Sequence, residues 1–188
     1  MNVQIVGTET KHQGWSKFHV ITAKFPDGET LRREVEDHGS AVAVLPYDPG
    51  RRTAILIRQF RAPIFFATRE EQLLEAVAGI IEPGEEPADC ARRETMEEAG
   101  LRLDALEYVA TAWSMPGIST ERMSLFLAQY QAEDRVAAGG GVDADEKIAV
   151  VELPLAELGA MVDTGRFNDM KGLALIQTLR LRRPDLFA

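Results

Sequence analysis

Hydrophobic and polar positions change rhythm several times along this chain, and each change predicts an element. The first forty residues read as β. "FHVITAKF" and "ETLRREVED" flank "PDG", so a hairpin is expected around Pro26–Gly28. Two apolar runs follow, "GSAVAVLPYD" and "RTAILIRQFR", rich in Val and Ile and parted by Asp48-Pro49-Gly50. They predict two strands of a buried sheet. "QLLEAVAGIIE" continues that sheet to a turn at Pro83-Gly84. The rhythm then becomes helical. Pro87 suits a first helical position and Gly100 an exit. Ala88, Ala91, Thr95 and Ala99 recur at helical spacing, a narrow stripe able to press close to a sheet. "ALEYVATAW" and "ERMSLFLAQYQ" predict further strands, joined by a loop through Pro116-Gly117. "EDRVAAGGGVDADEK" predicts a flexible acidic loop, "IAVVELP" a last strand, and "LAELGAMVDTG" and "MKGLALIQTLRLRR" two amphipathic helices. No internal repeat is evident. The sum is a mixed α/β sheet with helices on its faces.

Composition narrows the class. A chain of 188 residues, 45% hydrophobic and 27% charged, can build one domain with a real core and a small extra element. No apolar run approaches the roughly 20 residues of a membrane helix. The start, "MNVQIVGTETKHQ", lacks a basic segment followed by an apolar one. The single cysteine, Cys90, has no partner for an internal disulfide. A reducing cytoplasm and no membrane are therefore expected. The net charge of −9 argues against general nucleic-acid binding, which needs basic surface. It leaves room for a small phosphorylated ligand, provided metal ions bridge carboxylates to phosphates.

That condition draws attention to "RRETMEEAG", residues 92–100. On a helix, Glu94 and Glu98 lie one turn apart and Glu97 can share their face. Like charges at that spacing repel by a few tenths of a kcal/mol per pair. Either this is an ordinary solvated face, or a cation sits among the glutamates; carboxylate oxygens suit Mg²⁺ or Mn²⁺.

The flanks favour the cation. Within "AGIIEPGEEPADCARRETMEEAGL", Gly79 is followed six on by Glu85, then by Arg93-Glu94, Glu97-Glu98, Gly100 and Leu101. This resembles the Nudix box, with one departure: Thr95 stands at an aliphatic position, a change expected to affect packing more than chemistry. The resemblance implies a Nudix α/β/α sandwich and hydrolysis of a nucleoside diphosphate linked to another group. It also implies roles. Glu94 and Glu98 are metal ligands, with Glu97 an additional or water-mediated one and the Ala78 carbonyl another. Arg93 holds the carboxylates, and Glu85 supports the turn after Gly79. Two or more ions, Mg²⁺ or Mn²⁺, would be bound.

The likeness runs from about Arg33 onward. "REVEDHGSAVAVLPYD", "LIRQFR", "LLEAVAGIIEPGE" and "SMPGISTER" are similar to ADP-ribose pyrophosphatases, and Pro116, 15 residues past Leu101, has the placing of that subgroup. "AAGGGVDADEKIAVVELPL" and the terminal helices look more like GDP-mannose hydrolases. A nucleoside diphosphate sugar is thus the implied substrate, ADP-ribose slightly ahead. NADH, a diadenosine polyphosphate, or nucleotide sensing without hydrolysis are the alternatives; sensors typically lose box carboxylates, and this chain keeps them. The resemblance places a general base near "DADEKI": Glu146, with Asp143 and Asp145 as rivals, since Ala144 replaces one of the two glutamates that relatives often carry there. It further implies a homodimer, with residues 1–37 a dimerising β element, in which Trp15 or Phe18 reaches the partner or the base, and 38–188 the hydrolase domain.

Weaker candidates complete the set. Arg58 and Arg61 at a strand end suit phosphates, or a structural salt bridge. Trp113, near Pro116 and Gly117, suits stacking on a base or sugar, or the core. Glu75 is an extra ligand or a partner for Arg93. His38 stands where relatives commonly carry arginine. Cys90 is expected to serve packing.

Overall fold

The computed structural model describes residues 2–142 and 147–188. They divide into two compact units, one formed by Met1–Ser40 and Ala112–Met123, the other by Ala41–Thr111 and Ser124–Ala188.

The first unit carries a three-stranded antiparallel sheet in the order β1 (Gln4–Gln13), β2 (Lys17–Lys24), β3 (Thr30–Asp37). The β2–β3 hairpin turns through Pro26–Gly28, where Gly28 takes φ +91°, as the "PDG" turn requires. Every residue of β1 is exposed. The end of β3 is tied to the Pro116 turn: Glu36 N–H donates to Ile118 O (2.8 Å), and Thr120 N–H donates to Glu36 O (2.9 Å). His38 lies between Glu36 (Nδ1–Oε1 2.6 Å) and Glu121 (Nε2–Oε1 3.1 Å), under the Trp15 ring at 4.8 Å.

The second unit is built on a mixed sheet in which β4 (Ala41–Asp48) and β5 (Thr53–Gln59) are central. α1 (Ala62–Thr68) follows, then β6 (Leu73–Glu75), β7 (Val77–Ile80), α2 (Pro87–Ala99), β8 (Glu107–Trp113), β9 (Arg122–Gln129), β10 (Ala149–Pro154), α3 (Leu155–Asp163) and α4 (Met170–Arg182). The sheet order is β10-β5-β4-β9-β8, with β6 on β5 and β7 on β4. All of β4 is buried, which is why it reads as an unbroken apolar run rather than an alternation. On one face Val42, Val44, Ile55, Ile57, Val77, Phe126 and Ala128 meet Cys90, Ala91 and Ala99 of α2. The alternate positions, such as Leu45, Leu56 and Leu127, are also fully buried, and α4, with buried Leu175, Ile176 and Leu179, packs on β4. This is the helix–sheet–helix layering of the expected fold.

α2 starts with Pro87 in its first turn and stops where Gly100 enters the left-handed region at φ +67°. Its small-residue stripe faces the sheet, with Ala91, Thr95 and Ala99 wholly buried. Thr95 keeps its place there because its hydroxyl donates to Ala91 O at 2.7 Å, satisfying a polar group that burial would otherwise penalise. Two expectations need amendment. "QLLEAVAGIIE" forms two short strands, since Ala76 N–H donates to Asp169 Oδ2 (3.0 Å) instead of to a strand. The glycine-rich stretch is not a free loop: Gly140 and Gly141 are hydrogen-bonded to the end of α2. Among the described residues no helix is long and apolar enough to cross a membrane.

Candidate active site

The box residues come together where β7 passes the middle of α2. Gly79 pairs with Val42 in the ladder, so its α-carbon is fixed by the core of the sheet. A Cβ built on it would lie 1.8 Å from Cδ of Glu94 and 1.9 Å from Oε1. The glutamate fills the space that glycine leaves. One residue earlier, Ala78 N–H donates to Glu98 Oε2 at 3.1 Å.

Arg93 organises the rest. Its Nε and Nη2 donate to the two oxygens of Glu85 (2.9 and 3.0 Å), a bidentate pair. Nη1 donates to Glu94 Oε1 (2.7 Å) and Glu97 Oε2 (3.1 Å), and Nη2 also to Ile80 O (3.2 Å). Glu85 accepts the Glu82 N–H at 3.0 Å as well, which pins the turn between β7 and α2. Hydrogen bonding from Arg93 holds the Glu85 carboxyl down at about 2, and the same bond raises the guanidinium above its already high range. Arg93 therefore joins the turn, the strand and two of the glutamates into one unit.

Glu98 differs from its neighbours. It is 4% exposed. Burial pushes its carboxyl up to about 8; the Ala78 N–H opposes this, and the nearby charge of Glu94 adds to it. A buried carboxylate so poorly compensated is costly unless a cation joins it. Among the described residues no three acidic or histidine side chains form a ready-made metal cage. Mg²⁺ commonly takes one or two carboxylates and completes its shell with water and substrate phosphate. The oxygens of Glu94, Glu97 and Glu98, with the Ala78 carbonyl, are a hard donor set that fits such an ion.

The remaining candidates are distributed as follows. Arg61 donates from Nε and Nη2 to both oxygens of Glu75 (2.8 and 3.0 Å), so the salt bridge is what it forms. Glu75, 1% exposed, is bonded to Arg61 and Lys171, not to Arg93. Burial works against its charge, but those two cations outweigh it and hold its carboxyl below the usual range. Arg58 is exposed on β5. Trp113 is 56% exposed, not core, and carries the Arg122 guanidinium 5.5 Å over its ring. Pro116 and Gly117 form an exposed turn; these three belong to the first unit, and the box belongs to the second. Glu146, Asp143, Ala144 and Asp145 lie outside the described residues. Cys90 is buried, its thiol pushed up to about 12 chiefly by burial, which makes it an inert packing residue.

Sequence reading missed Lys171 and Asp169. Asp169 caps α4 by accepting the Gly172 N–H (3.0 Å) and also accepts from Lys171 Nζ (2.9 Å) and the Ala76 N–H. The available signal was an aspartate directly before an apolar-periodic run; its partners across the fold gave none.

A family model described as NUDIX domain matches residues 37–174. A GDP-mannose pyrophosphatase of Cronobacter sakazakii (strain ATCC BAA-894) is 37% identical over 187 residues, 97% of each chain. That of Yersinia enterocolitica serotype O:8 / biotype 1B (strain NCTC 13174 / 8081) is 36% identical over 182 residues, 94% of each. A crystal structure of an ADP compounds hydrolase superposes with a TM-score of 0.78 at 22% identity, over 98% of this chain and 96% of the other. With its box carboxylates carried on α2 against β7, and with matches across nearly its whole length, the chain belongs to the NUDIX family.

Proposed function

We propose that the protein hydrolyses the pyrophosphate bond of a nucleoside diphosphate sugar with the help of divalent cations, Mg²⁺ or Mn²⁺, two or more being bound. The observation that carries this is Glu98: a buried carboxylate, raised to about 8, held by the Ala78 N–H of β7 and near the charge of Glu94, which fills the space left by Gly79. Glu94, Glu98 and the Ala78 carbonyl would hold the ion, with Glu97 at its edge. A cation there supplies charge neutralisation of the diphosphate and a more acidic attacking water. Arg93 keeps the carboxylates oriented, and Glu146 takes the proton of the attacking water as general base.

GDP-mannose becomes the first substrate to test, since the relatives at 37% and 36% identity bear that name; ADP-ribose is second. Arg58 is a candidate for the phosphates, as is Arg61, whose side chain stays 40% exposed despite its pairing. Trp113, Pro116 and Gly117 are candidates for the sugar or base. No nucleic acid or membrane partner is proposed, and the cytoplasm is the proposed setting. Incubation with GDP-mannose, ADP-ribose, NADH and diadenosine polyphosphates, with Mg²⁺ and with EDTA, tests the reading. Release of GMP and mannose 1-phosphate, or of AMP and ribose 5-phosphate, only with metal is expected. Binding without product would make the protein a sensor instead.

A homodimer built through residues 1–37 is part of the same reading. β1 supports it: the strand is exposed along its whole length and leaves Ile5 and Val6 58% and 53% open to water. Light scattering should give twice the 20.8 kDa chain mass. A monomer at micromolar concentration would overturn the dimer.

A further inference from the structure

The segment that carries Ala78 and Gly79 changes partner strand on the way. β4 and β5 pair next to their turn, Tyr47 with Ala54 and Asp48 with Thr53. Farther along they part, and one segment fills the fork. Its first half, β6, pairs with β5, setting Glu75 opposite Ile57. Its second half, β7, pairs with β4, setting Val77 opposite Val44. The crossing is made at Ala76, which belongs to neither register. Ala76 is wholly buried, so its N–H needs a partner that neither ladder supplies.

Asp169 is that partner. Its Oδ2 accepts the Ala76 N–H and the Gly172 N–H, each at 3.0 Å, while Oδ1 accepts from Lys171 Nζ at 2.9 Å. The carboxylate is buried and closely packed: a Cβ on Gly172 would lie 2.8 Å from Oδ2. Capping α4 requires only the Gly172 bond. The Ala76 bond is additional. It lands two residues before Ala78, whose N–H holds Glu98 at 3.1 Å, and three before Gly79, whose missing side chain makes room for Glu94.

We infer that Asp169 is a positioning residue for the cation site: by fixing the crossing at Ala76 it sets where Ala78 and Gly79 stand against Glu98 and Glu94. The inference rests on the cation site proposed above. Only Val77 separates the pinned residue from Ala78, so slack at the crossing passes directly to the carbonyl assigned to the ion and to the N–H that orients Glu98. Groups that orient metal ligands from outside commonly govern affinity by about 10–100-fold. A carboxylate that only capped α4 would govern the stability of that helix and leave metal affinity alone.

Asp169→Ser separates the two roles. Serine is a good N-cap, but its shorter side chain serves its own helix and does not reach Ala76 as well. Asp169→Asn is the control, because an amide oxygen in the Oδ2 place keeps both backbone bonds. Both variants lose the charge pairing with Lys171, so both should melt earlier, and stability alone does not distinguish them. Titration calorimetry should show Mn²⁺ binding about tenfold weaker in Asp169→Ser and within about twofold of the parent in Asp169→Asn. At saturating Mn²⁺, kcat of both should stay within about threefold of the parent. Parent-like Mn²⁺ affinity in Asp169→Ser, or equal weakening in the two variants, would overturn the inference. A parent that binds no Mn²⁺ rejects the cation site itself, and the inference falls with it. If Asp169→Ser does not fold, the coupling is read in the parent, since an ion that depends on the pin must in turn tighten it. Mg²⁺ should then slow amide exchange at Ala76 at least about fivefold more than at Gly172, which is bonded to the same oxygen. Equal slowing at both amides would overturn the inference.

Discussion

Glu98→Gln should remove nearly all metal-dependent turnover while making the metal-free protein more stable. The first effect follows from the role of the side chain. A ligand lost from the ion forfeits several kcal/mol of transition-state stabilisation, about a thousandfold in rate. The second follows from linkage. In the folded protein the Glu98 carboxyl sits at about 8, against 4.5 for the free group. Between those values the folded state binds the proton more tightly than the unfolded chain, so metal-free stability falls as pH rises through the window. Each unit of the shift corresponds to about 1.4 kcal/mol, which makes the cost on the order of a few kcal/mol at pH 8.5. Glutamine stays neutral and can still accept the Ala78 N–H. Denaturant melts in EDTA should therefore show the variant close to the parent at pH 4 and clearly more stable at pH 8.5, while the assay shows it inactive. Turnover within tenfold of the parent would remove Glu98 from the metal site. Equal stability at both pH values would mean that burial of the charge is relieved in some other way.

That trade explains why some parts of the molecule were legible in its sequence. Carboxylates placed against their own electrostatic interest stand out in one dimension: three glutamates within the five positions 94–98 repel one another on a helix. β4 and β5 were legible because burial on both faces leaves an unbroken Val/Ile run. α2 was legible because Pro87 and Gly100 mark both of its ends. α1 was not, since its seven residues are too few to show a helical period and none of them is buried; it ends on Arg69, held in the left-handed region at φ 68°.

The pairings of charged residues were the least legible feature. Glu75 was read as a ligand or a partner of Arg93, but it is bonded to Arg61, 14 residues away, and Lys171, 96 residues away. Nothing in a local pattern encodes a contact at that separation. The split of 73–80 into two strands has the same origin, because Asp169 takes the Ala76 N–H from 93 residues away. The glycine run was misjudged for a different reason. Composition alone equates glycine with freedom, whereas here each glycine answers a positive φ or a close backbone approach.

Gly79→Ala should cost roughly a hundredfold in kcat/KM with little change in stability. The backbone at Gly79 does not need positive φ, and its ladder partner Val42 is unaffected by a methyl group. The three nearest atoms all belong to Glu94, whose Cδ, Oε1 and Cγ lie 1.8, 1.9 and 2.3 Å from the new Cβ. A flexible side chain can swing away at low cost, so the fold survives and the melting midpoint should move by less than that of a core cavity variant. The carboxylate, however, leaves the position from which it meets Arg93 Nη1 and faces Glu98. Displacement on the order of 1 Å in such a site is enough for about a hundredfold loss, and higher Mg²⁺ should restore part of it. In a Glu94→Gln background the glycine substitution should add almost nothing, because the group it displaces no longer carries the charge. Equal losses in both backgrounds would mean that Gly79 matters to something other than Glu94; full activity with an unchanged Mg²⁺ requirement would mean that the Glu94 carboxylate is not where the ion binds.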